Sequence, residues 1–338
     1  MKTIIATALL MISLIGPAWA EPLLVNGAGA TFPYPVYSKW FDEYAKMNPD
    51  IHINYQSIGS GGGIRQVSEL TVDFGATDGP MNDEQLSKAK VKLLHFPTVL
   101  GADVPTYNIP ELQGELNFTP QALAGIFLGT ITKWNDPEIA KANPGATLPD
   151  KLIIVVHRSD GSGTTYVWVD YLSKVSPEWK EKVGVGTSVN WPTGLGGKGN
   201  EGVAGLVKQT PYAIGYVELI YAEQNKMPYG AVQNSEGKFV KASIAAVTAA
   251  AAGASKAMPA DFRVSITNAP GDKTYPIASF TWLLIPEKID DPKKGKAITG
   301  FLKWMLKDGQ GMAPALLYAP LPKEVVAMEE KAIGQIKY

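Results

Sequence analysis

Midway along the chain stands Arg158-Ser159-Asp160-Gly161-Ser162-Gly163-Thr164. Before it runs Leu152-Ile153-Ile154-Val155-Val156, an apolar, β-branched run of the kind that forms a buried parallel strand. After it, Thr165-Tyr166-Val167-Trp168-Val169-Asp170-Tyr171-Leu172 reads as a helix, although its β-branched residues lower the helical propensity. Strand, small polar loop and helix thus follow one another. A loop in that position aims free backbone N–H groups, hydroxyls and the positive end of a helix dipole at one spot, which favours an anion. Gly161 and Gly163 let the backbone come close with no Cβ in the way. Arg158 adds a planar fork of donors able to grip two oxygens at once. Asp160 is the odd member: it either orients Arg158 or accepts a proton from the ligand. The commoner explanation of such a stretch is an ordinary βα turn whose Asp or Ser caps the helix. On this stretch alone both readings stand.

The same grammar recurs earlier. Leu23-Leu24-Val25 reads as a short strand, followed by Asn26-Gly27-Ala28-Gly29-Ala30-Thr31-Phe32 and a helix over Val36–Lys46, with Pro33 and Pro35 where a helix start tolerates proline. Ile51–Ile58 alternates like a strand; Gly59-Ser60-Gly61-Gly62-Gly63 follows, then a helix from Ile64 to about Leu70. One glycine-rich loop before a helix is weak evidence, but three with Ser or Thr in each are harder to dismiss as turns. In an open α/β sheet, loops at the carboxyl ends of parallel strands converge on one crevice. Val72–Pro80 is a further strand, and it would place Asp78 in that crevice; the competing role for Asp78 is to cap a helix beginning near Asp83 or to sit in the turn before Gly79-Pro80. Leu93–Leu100 is the next apolar run, and Gly101–Pro105 reads as a crossover. Gly194–Asn200 holds the spacing of a dinucleotide fingerprint, but Trp191-Pro192 precedes it where an apolar strand is required, and Gly199 stands where a P-loop needs Ser or Thr. It reads instead as a glycine-rich loop near the crevice mouth. Ala213–Val217 and Tyr275–Ile285 read as strands, the second returning to the first domain. Ala242–Ala257, Ala297–Leu306 and Glu324–Ile333 read as helices, the last closed by Gly334, and Lys288–Lys296 as a solvated loop.

Composition narrows the function classes. The 338 residues suggest two domains. With 31 basic and 32 acidic residues and a net charge of −1, there is no basic excess of the kind that binds nucleic acid. Cysteine is absent, which excludes disulfides, thiol catalysis, thiolate metal sites and a lipidated N-terminal cysteine. His52, His95 and His157 lie far apart, and none has metal-ligand spacing. No G-x-S-x-G elbow accompanies Ser162, so neither a nucleophile nor a metal points to an enzyme, and no cofactor is expected. Residues 1–20 read as an export leader: Lys2 supplies the positive start, Ile4–Ile15 is apolar, and Ala18-Trp19-Ala20 has small residues at the positions a signal peptidase reads. Cleavage after Ala20 and a mature protein from Glu21 are expected. The stretch is too short for a membrane span.

These motifs together resemble the periplasmic phosphate-binding proteins, the substrate-binding components of high-affinity phosphate ABC transporters. The resemblance rests on Gly27–Pro33, Gly59-Ser60 with its glycines, Val72–Asp78, Arg158–Thr164, and Trp191-Pro192 followed by Gly194–Asn200. It covers nearly the whole mature chain. It implies an α/β, two-lobe periplasmic binding protein fold of type II, each lobe a mixed, mostly parallel sheet flanked by helices, the lobes joined by crossover strands. Lobe I would span 21–103 plus 275–338 and lobe II 104–274. The resemblance also implies a phosphate site in the cleft: backbone N–H of Thr31 and Phe32 with the Thr31 hydroxyl, Ala30 lining the same loop, and Ser60 through N–H and hydroxyl. Ser162, Gly163 and Thr164 would supply a second helix terminus. Arg158 would supply the formal positive charge, supported by Asp160, and Asp78 would accept a hydrogen bond from the ligand. Two positions depart from the family pattern: Gly61, where a second serine is frequent, and His157, where an arginine can occur. The partners implied are a membrane permease and an ATPase on other chains; no nucleic acid is expected, and a monomer is the simplest state for a mobile carrier.

Asp78 sharpens the ligand class. A carboxylate in an anion pocket is repulsive unless the ligand brings a proton to share; phosphate keeps one near neutral pH and sulfate keeps none. Other readings on the same fold are a carrier of another tetrahedral oxyanion such as sulfate or molybdate, which Asp78 opposes, and an extracellular adhesion or scaffold protein in which phosphate is incidental. A phosphatase would need a nucleophile or metal that the motifs do not supply.

Overall fold

A computed structural model describes residues 21–338, so the expected export leader lies outside the described residues. The strands in chain order are β1 (Leu23–Gly29), β2 (Ile51–Ser57), β3 (Phe74–Thr77), β4 (Leu93–Tyr107), β5 (Asn117–Phe118), β6 (Ile154–Arg158), β7 (Leu195–Gly197), β8 (Ala213–Glu218), β9 (Ala231–Gln233), β10 (Phe239–Val240) and β11 (Ala278–Pro286). Eight of them form one hydrogen-bonded sheet in the order β2-β1-β3-β11-β4-β8-β6-β7, and β10-β9-β5 form a small separate sheet. β1, β2 and β3 are mutually parallel, as are β6, β7 and β8. β11 runs antiparallel between β3 and β4.

β4 is the spine that joins the two parallel groups. Leu93–Ala102 pairs with β11, and from Asp103 to Tyr107 the same strand pairs with β8. All of its residues but Leu94 are buried, which explains why the run is apolar without alternation. The segment expected to be a crossover, Gly101–Pro105, lies within this strand at the point where it exchanges partners. The exchange of partners at Ala102/Asp103 makes a seam, and the loops following β1, β3, β6 and β7 come together beside it, as the crevice rule requires.

Helices cover both groups. Tyr34–Met47 buries Val36, Tyr37, Trp40, Phe41 and Tyr44, a helical-period stripe that meets Tyr55, Phe74 and Phe301 in an aromatic cluster. Beneath the other group, Trp168 stacks on Tyr216 at 5.0 Å between ring centres, and Phe127 meets Trp168 edge-on.

Several boundaries differ from the sequence reading for identifiable reasons. β1 continues four residues past Val25, through the small-residue run. The second helix begins at Ser60 and spans Ser60–Ser68, so Gly61, Gly62 and Gly63 are helical rather than loop. Glycine is poor in a helix by propensity, but Gly61 and Gly63 face other backbone and Gly62 the Ile58 side chain, and this tertiary packing overrides the preference. Gly194–Asn200 is likewise no loop: it contains β7, and the helix Gly199–Gln209 follows. Asn82, not Asp78, caps the Asp83–Lys88 helix, through a reciprocal box with Gln85. The Pro292–Lys307 helix starts inside the supposed surface loop, capped by Asp291. Gly334 does not end a helix in the left-handed region; it lies within a 3-10 turn, Ile333–Gln335.

Gly63 shows how tightly this arrangement is specified. A Cβ there would sit 2.5 Å from the Ala28 carbonyl oxygen and 2.5 Å from the Gly29 Cα, both backbone atoms with nowhere to yield. Gly63→Ala is expected to lower unfolding free energy by about 1–3 kcal/mol. Gly253→Ala, on the exposed face of the Ile244–Lys256 helix with nothing within 4 Å, is expected to raise it by roughly 0.5–1 kcal/mol. Denaturant unfolding of the two variants checks the pair: equal effects would mean that the backbone contact around Gly63 does not hold.

Candidate functional site

Four strand-to-helix junctions meet at the seam. The first follows β1. Its carbonyls are each taken by a tyrosine hydroxyl from a different part of the chain: Tyr55 donates to Ala30 O (2.8 Å), Tyr221 to Thr31 O (2.5 Å) and Tyr318 to Phe32 O (2.6 Å). Ala30 N–H is spent on the Ala76 carbonyl. Among the described residues, the N–H groups of Thr31 and Phe32 donate to no protein group. The loop is thus clamped by its carbonyl side, and Thr31 is turned toward the seam, where its hydroxyl meets Asn200.

The second junction brings Ser60, fully buried, to the start of its helix, where the first N–H groups lack helical partners. Its hydroxyl accepts from the Asp78 N–H at 3.3 Å. The third, after β6, carries the stretch met first in the sequence. Ser162 caps the Gly163–Val175 helix, its Oγ accepting from Thr165 N–H at 2.9 Å. The capping reading of this stretch is thus met by Ser162. The fourth, after β7, sets Gly199 and Asn200 at the start of a helix.

The junctions touch. Gly61 N–H donates to the Gly161 carbonyl at 2.9 Å. A methyl group at Gly163 would overlap Asp78 Oδ2 and Ser60 Oγ, so only glycine lets these groups face one another. Asn200 Nδ2 donates to both the Thr31 hydroxyl (2.7 Å) and the Thr164 hydroxyl (3.0 Å). Ala30, Thr31, Phe32, Ser60, Asp78, Arg158, Asp160, Ser162, Gly163 and Thr164 are accordingly gathered in one small volume.

Charge in that volume is tightly managed. Arg158 is only 3% exposed; its Nε and Nη2 grip the two Asp160 carboxylate oxygens at 2.8 and 2.6 Å, and Nη1 points at the Thr164 hydroxyl, 3.3 Å away. Burial alone would pull the guanidinium pKa down, but the Asp160 carboxylate outweighs it and leaves the value raised. Burial also acts on Asp160, and there Arg158 and the Gly199 N–H win and hold its carboxyl low. Asp160 thus orients Arg158, the first of its two possible roles. Asp78 is the opposite case. Burial pushes its carboxyl from 3.8 to about 7 against the Thr281 hydroxyl, the Arg158 charge and Ser60. Oδ1 accepts from Thr281 at 2.8 Å, and Oδ2 is buried with no partner among the described residues.

Two more acids flank the seam. Asp103 and Glu218 stand opposite each other in the β4–β8 register, fully buried. Burial raises both well above the usual carboxylate range.

Asn200, Thr281, Tyr221 and Tyr318 were not singled out from sequence. Asn200 had a signal, since it closes the glycine motif beginning at Gly194; the other three reach the site from distant segments with no local pattern to mark them. A groove of about 620 Å³ lies elsewhere, between Leu86–Phe96 and Ala260–Arg263. Its histidine, His95, is held uncharged by burial with a pKa lowered to about 3 and accepts the Met81 N–H. His157 stacks on Trp191 at 4.8 Å at the rim of the seam.

Comparison with known proteins places this architecture. The model of the PBP superfamily domain matches residues 16–308. Phosphate-binding protein PstS of Pasteurella multocida (strain Pm70) is 51% identical over 303 residues, covering 89% of this chain and 87% of that one. Phosphate-binding protein PstS of Haemophilus influenzae is 47% identical over 310 residues, covering 91% and 92%. Among solved structures, a high-affinity periplasmic phosphate-binding protein, PfluDING, bound with phosphate, superposes with a TM-score of 0.72 at 21% identity, covering 91% of this chain and 93% of that one. That likeness shows the fold: α/β, two-lobed, of the type II binding-protein class. With half of its residues identical to such relatives over nine-tenths of its length, the chain belongs to the PstS family of phosphate-binding proteins.

Proposed function

We propose that this chain captures inorganic phosphate at the seam and delivers it to a membrane permease and its ATPase for import. The chain is a binding component and not an enzyme. In this reading residues 1–20 direct export and are removed after Ala20, and the mature protein works in the periplasm. Residues 21–103 with 275–338 form one lobe and 104–274 the other; β4 and the segment entering β11 are the connections about which they close.

One observation carries the choice of ligand. Asp78 Oδ2 is a buried acceptor with no protein partner among the described residues, and it faces donors: the Ser60 and Gly163 junctions and Arg158. A ligand that fills such a site must offer oxygens to many N–H and O–H groups and at least one proton to a carboxylate. Phosphate meets both demands. Sulfate meets only the first and would leave the Asp78 charge unpaired against its own. The N–H groups of Thr31, Phe32, Ser60, Gly163 and Thr164, with the Thr31, Ser60 and Thr164 hydroxyls, hold the oxygens; Arg158 supplies the positive charge.

Calorimetric titration is expected to give one-to-one phosphate binding and no sulfate heat at pH 8. Asp78→Asn is expected to narrow the preference for phosphate over sulfate by about 10–100-fold, the cost of one charged hydrogen bond. Retention of full sulfate exclusion in that variant would remove Asp78 as the discriminating group; absence of phosphate binding by folded wild-type protein would sink the reading as a whole.

Linkage supplies a second prediction. Because the Asp78 pKa is raised in the folded state, its contribution to stability is complete below its unfolded value near 3.8 and is lost as pH rises through about 7. In ligand-free protein, the stability of Asp78→Asn relative to wild type is therefore expected to climb between pH 4 and pH 7 and to level off above. Thermal unfolding across that range checks it, and a flat difference would mean that Asp78 titrates normally.

A further inference from the structure

The Asn200 side chain bonds to three different residues at the seam, and the reading above gives it no task. It is fully buried at the second position of the Gly199–Gln209 helix. Its carboxamide has a defined orientation. The Glu218 backbone N–H, which can only donate, points at Oδ1 from 2.9 Å, so the NH2 group must face the other way. There it meets two hydroxyls from different junctions, Thr31 at 2.7 Å and Thr164 at 3.0 Å.

A hydroxyl has one proton to give and two lone pairs to fill. Thr31 Oγ1 receives two donors, Asn200 Nδ2 and the Asn200 backbone N–H at 3.2 Å. Thr164 Oγ1 also receives two, Asn200 Nδ2 and Arg158 Nη1 at 3.3 Å. Both oxygens are then saturated as acceptors, and each can act further only as a donor. Among the described residues neither hydroxyl donates to a protein group.

We infer that Asn200 is a positioning residue: it sets the polarity of the Thr31 and Thr164 hydroxyls so that both present protons, never lone pairs, to the bound anion. The inference deepens the phosphate reading and rests on it. Without Asn200 each hydroxyl regains a free lone pair and a freely turning proton, and an anion must select one rotamer from several. Asn200 does not touch the ligand in this arrangement; it acts through two groups that do. The backbone N–H of the same residue ties the β7 junction to the β1 junction, so the polarity is set only when the two groups of strands are together.

The test separates this role from a purely structural one. Phosphate affinity is measured by calorimetry for wild type, Asn200→Ala, the Thr31→Val/Thr164→Val double variant and the triple variant, each checked for folding by thermal unfolding. Asn200→Ala is expected to weaken binding by about tenfold or more, on the scale of hydrogen bonds to a charged ligand. In the valine background, which has no hydroxyls to orient, the same substitution is expected to cost less than about twofold, the non-additivity that marks a shared interaction. Equal losses in both backgrounds would overturn the inference, because a helix-placing role survives removal of the hydroxyls. So would Asn200→Ala binding as wild type does. If the double variant binds too weakly to titrate, each single valine variant supplies a cycle, with the Asn200→Ala penalty expected to shrink in each. Failure of wild type to bind phosphate at all is seen in the first titration and bears on the proposed function instead.

Discussion

A guanidinium buried away from water must be compensated, or it does not stay buried. Arg158 meets that demand with a bidentate grip on Asp160, and much of the site's arrangement follows. Asp160 can hold Arg158 only if its own position is pinned, which the Gly199 N–H at 3.1 Å does from the start of the next helix. The cleft therefore begins close to electrically neutral. What an anion would meet there is less a net charge than a set of dipoles already pointed the right way: helix N-termini, backbone N–H groups and hydroxyls whose donors were oriented during folding. Such an arrangement discriminates by shape and by where donors point rather than by net charge alone, and burial raises the carboxyls of Asp103 and Glu218 beside it.

Close approach is the second requirement, and glycine meets it. The Gly61 to Gly161 hydrogen bond and the contact of Gly163 with Asp78 and Ser60 bring backbone to backbone across the seam with no intervening side chain. Opposite them, three tyrosines from β2, the Leu219–Gln224 helix and the segment after residue 317 secure the carbonyls of Ala30, Thr31 and Phe32. A loop fixed through its acceptors has its donors free for other work, which is why hydroxyls so far apart in sequence matter to three consecutive residues.

Much of this was legible from sequence because the decisive groups are local. Each strand–loop–helix junction carries its own signature of apolar run, small residues and Ser or Thr, and the junctions at Thr31, Ser60 and Arg158–Thr164 stand where that grammar put them. Boundaries inside the glycine runs were not legible. Propensity argues against helix at Gly61–Gly63 and against strand at Leu195–Gly197, and only the neighbouring backbone, absent from a linear reading, reverses both. The rim of the site was equally hidden: Thr281 reaches Asp78 from 203 residues away, and Tyr318 reaches Phe32 from 286. No periodicity marks a hydroxyl whose partner lies at the other end of the chain. Asn200 was visible as part of a motif, but its task depends on two hydroxyls that converge only in three dimensions.

The insertion of β11 between β3 and β4 governs how the molecule can be made. A chain emerging from its amino end completes β1 through β4 within its first 107 residues, yet β3 and β4 are not neighbours and have no edge in common. The strand that bridges them spans residues 278–286, so β3 and β4 are joined only once most of the polypeptide is available. The second group, by contrast, assembles from β4, β6, β7 and β8, all present by residue 218. The pairings of β11 with β3 and β4 are therefore the most distant in sequence of those that complete the sheet. Pairing across so long a stretch of chain is the kind of non-local contact that slows folding.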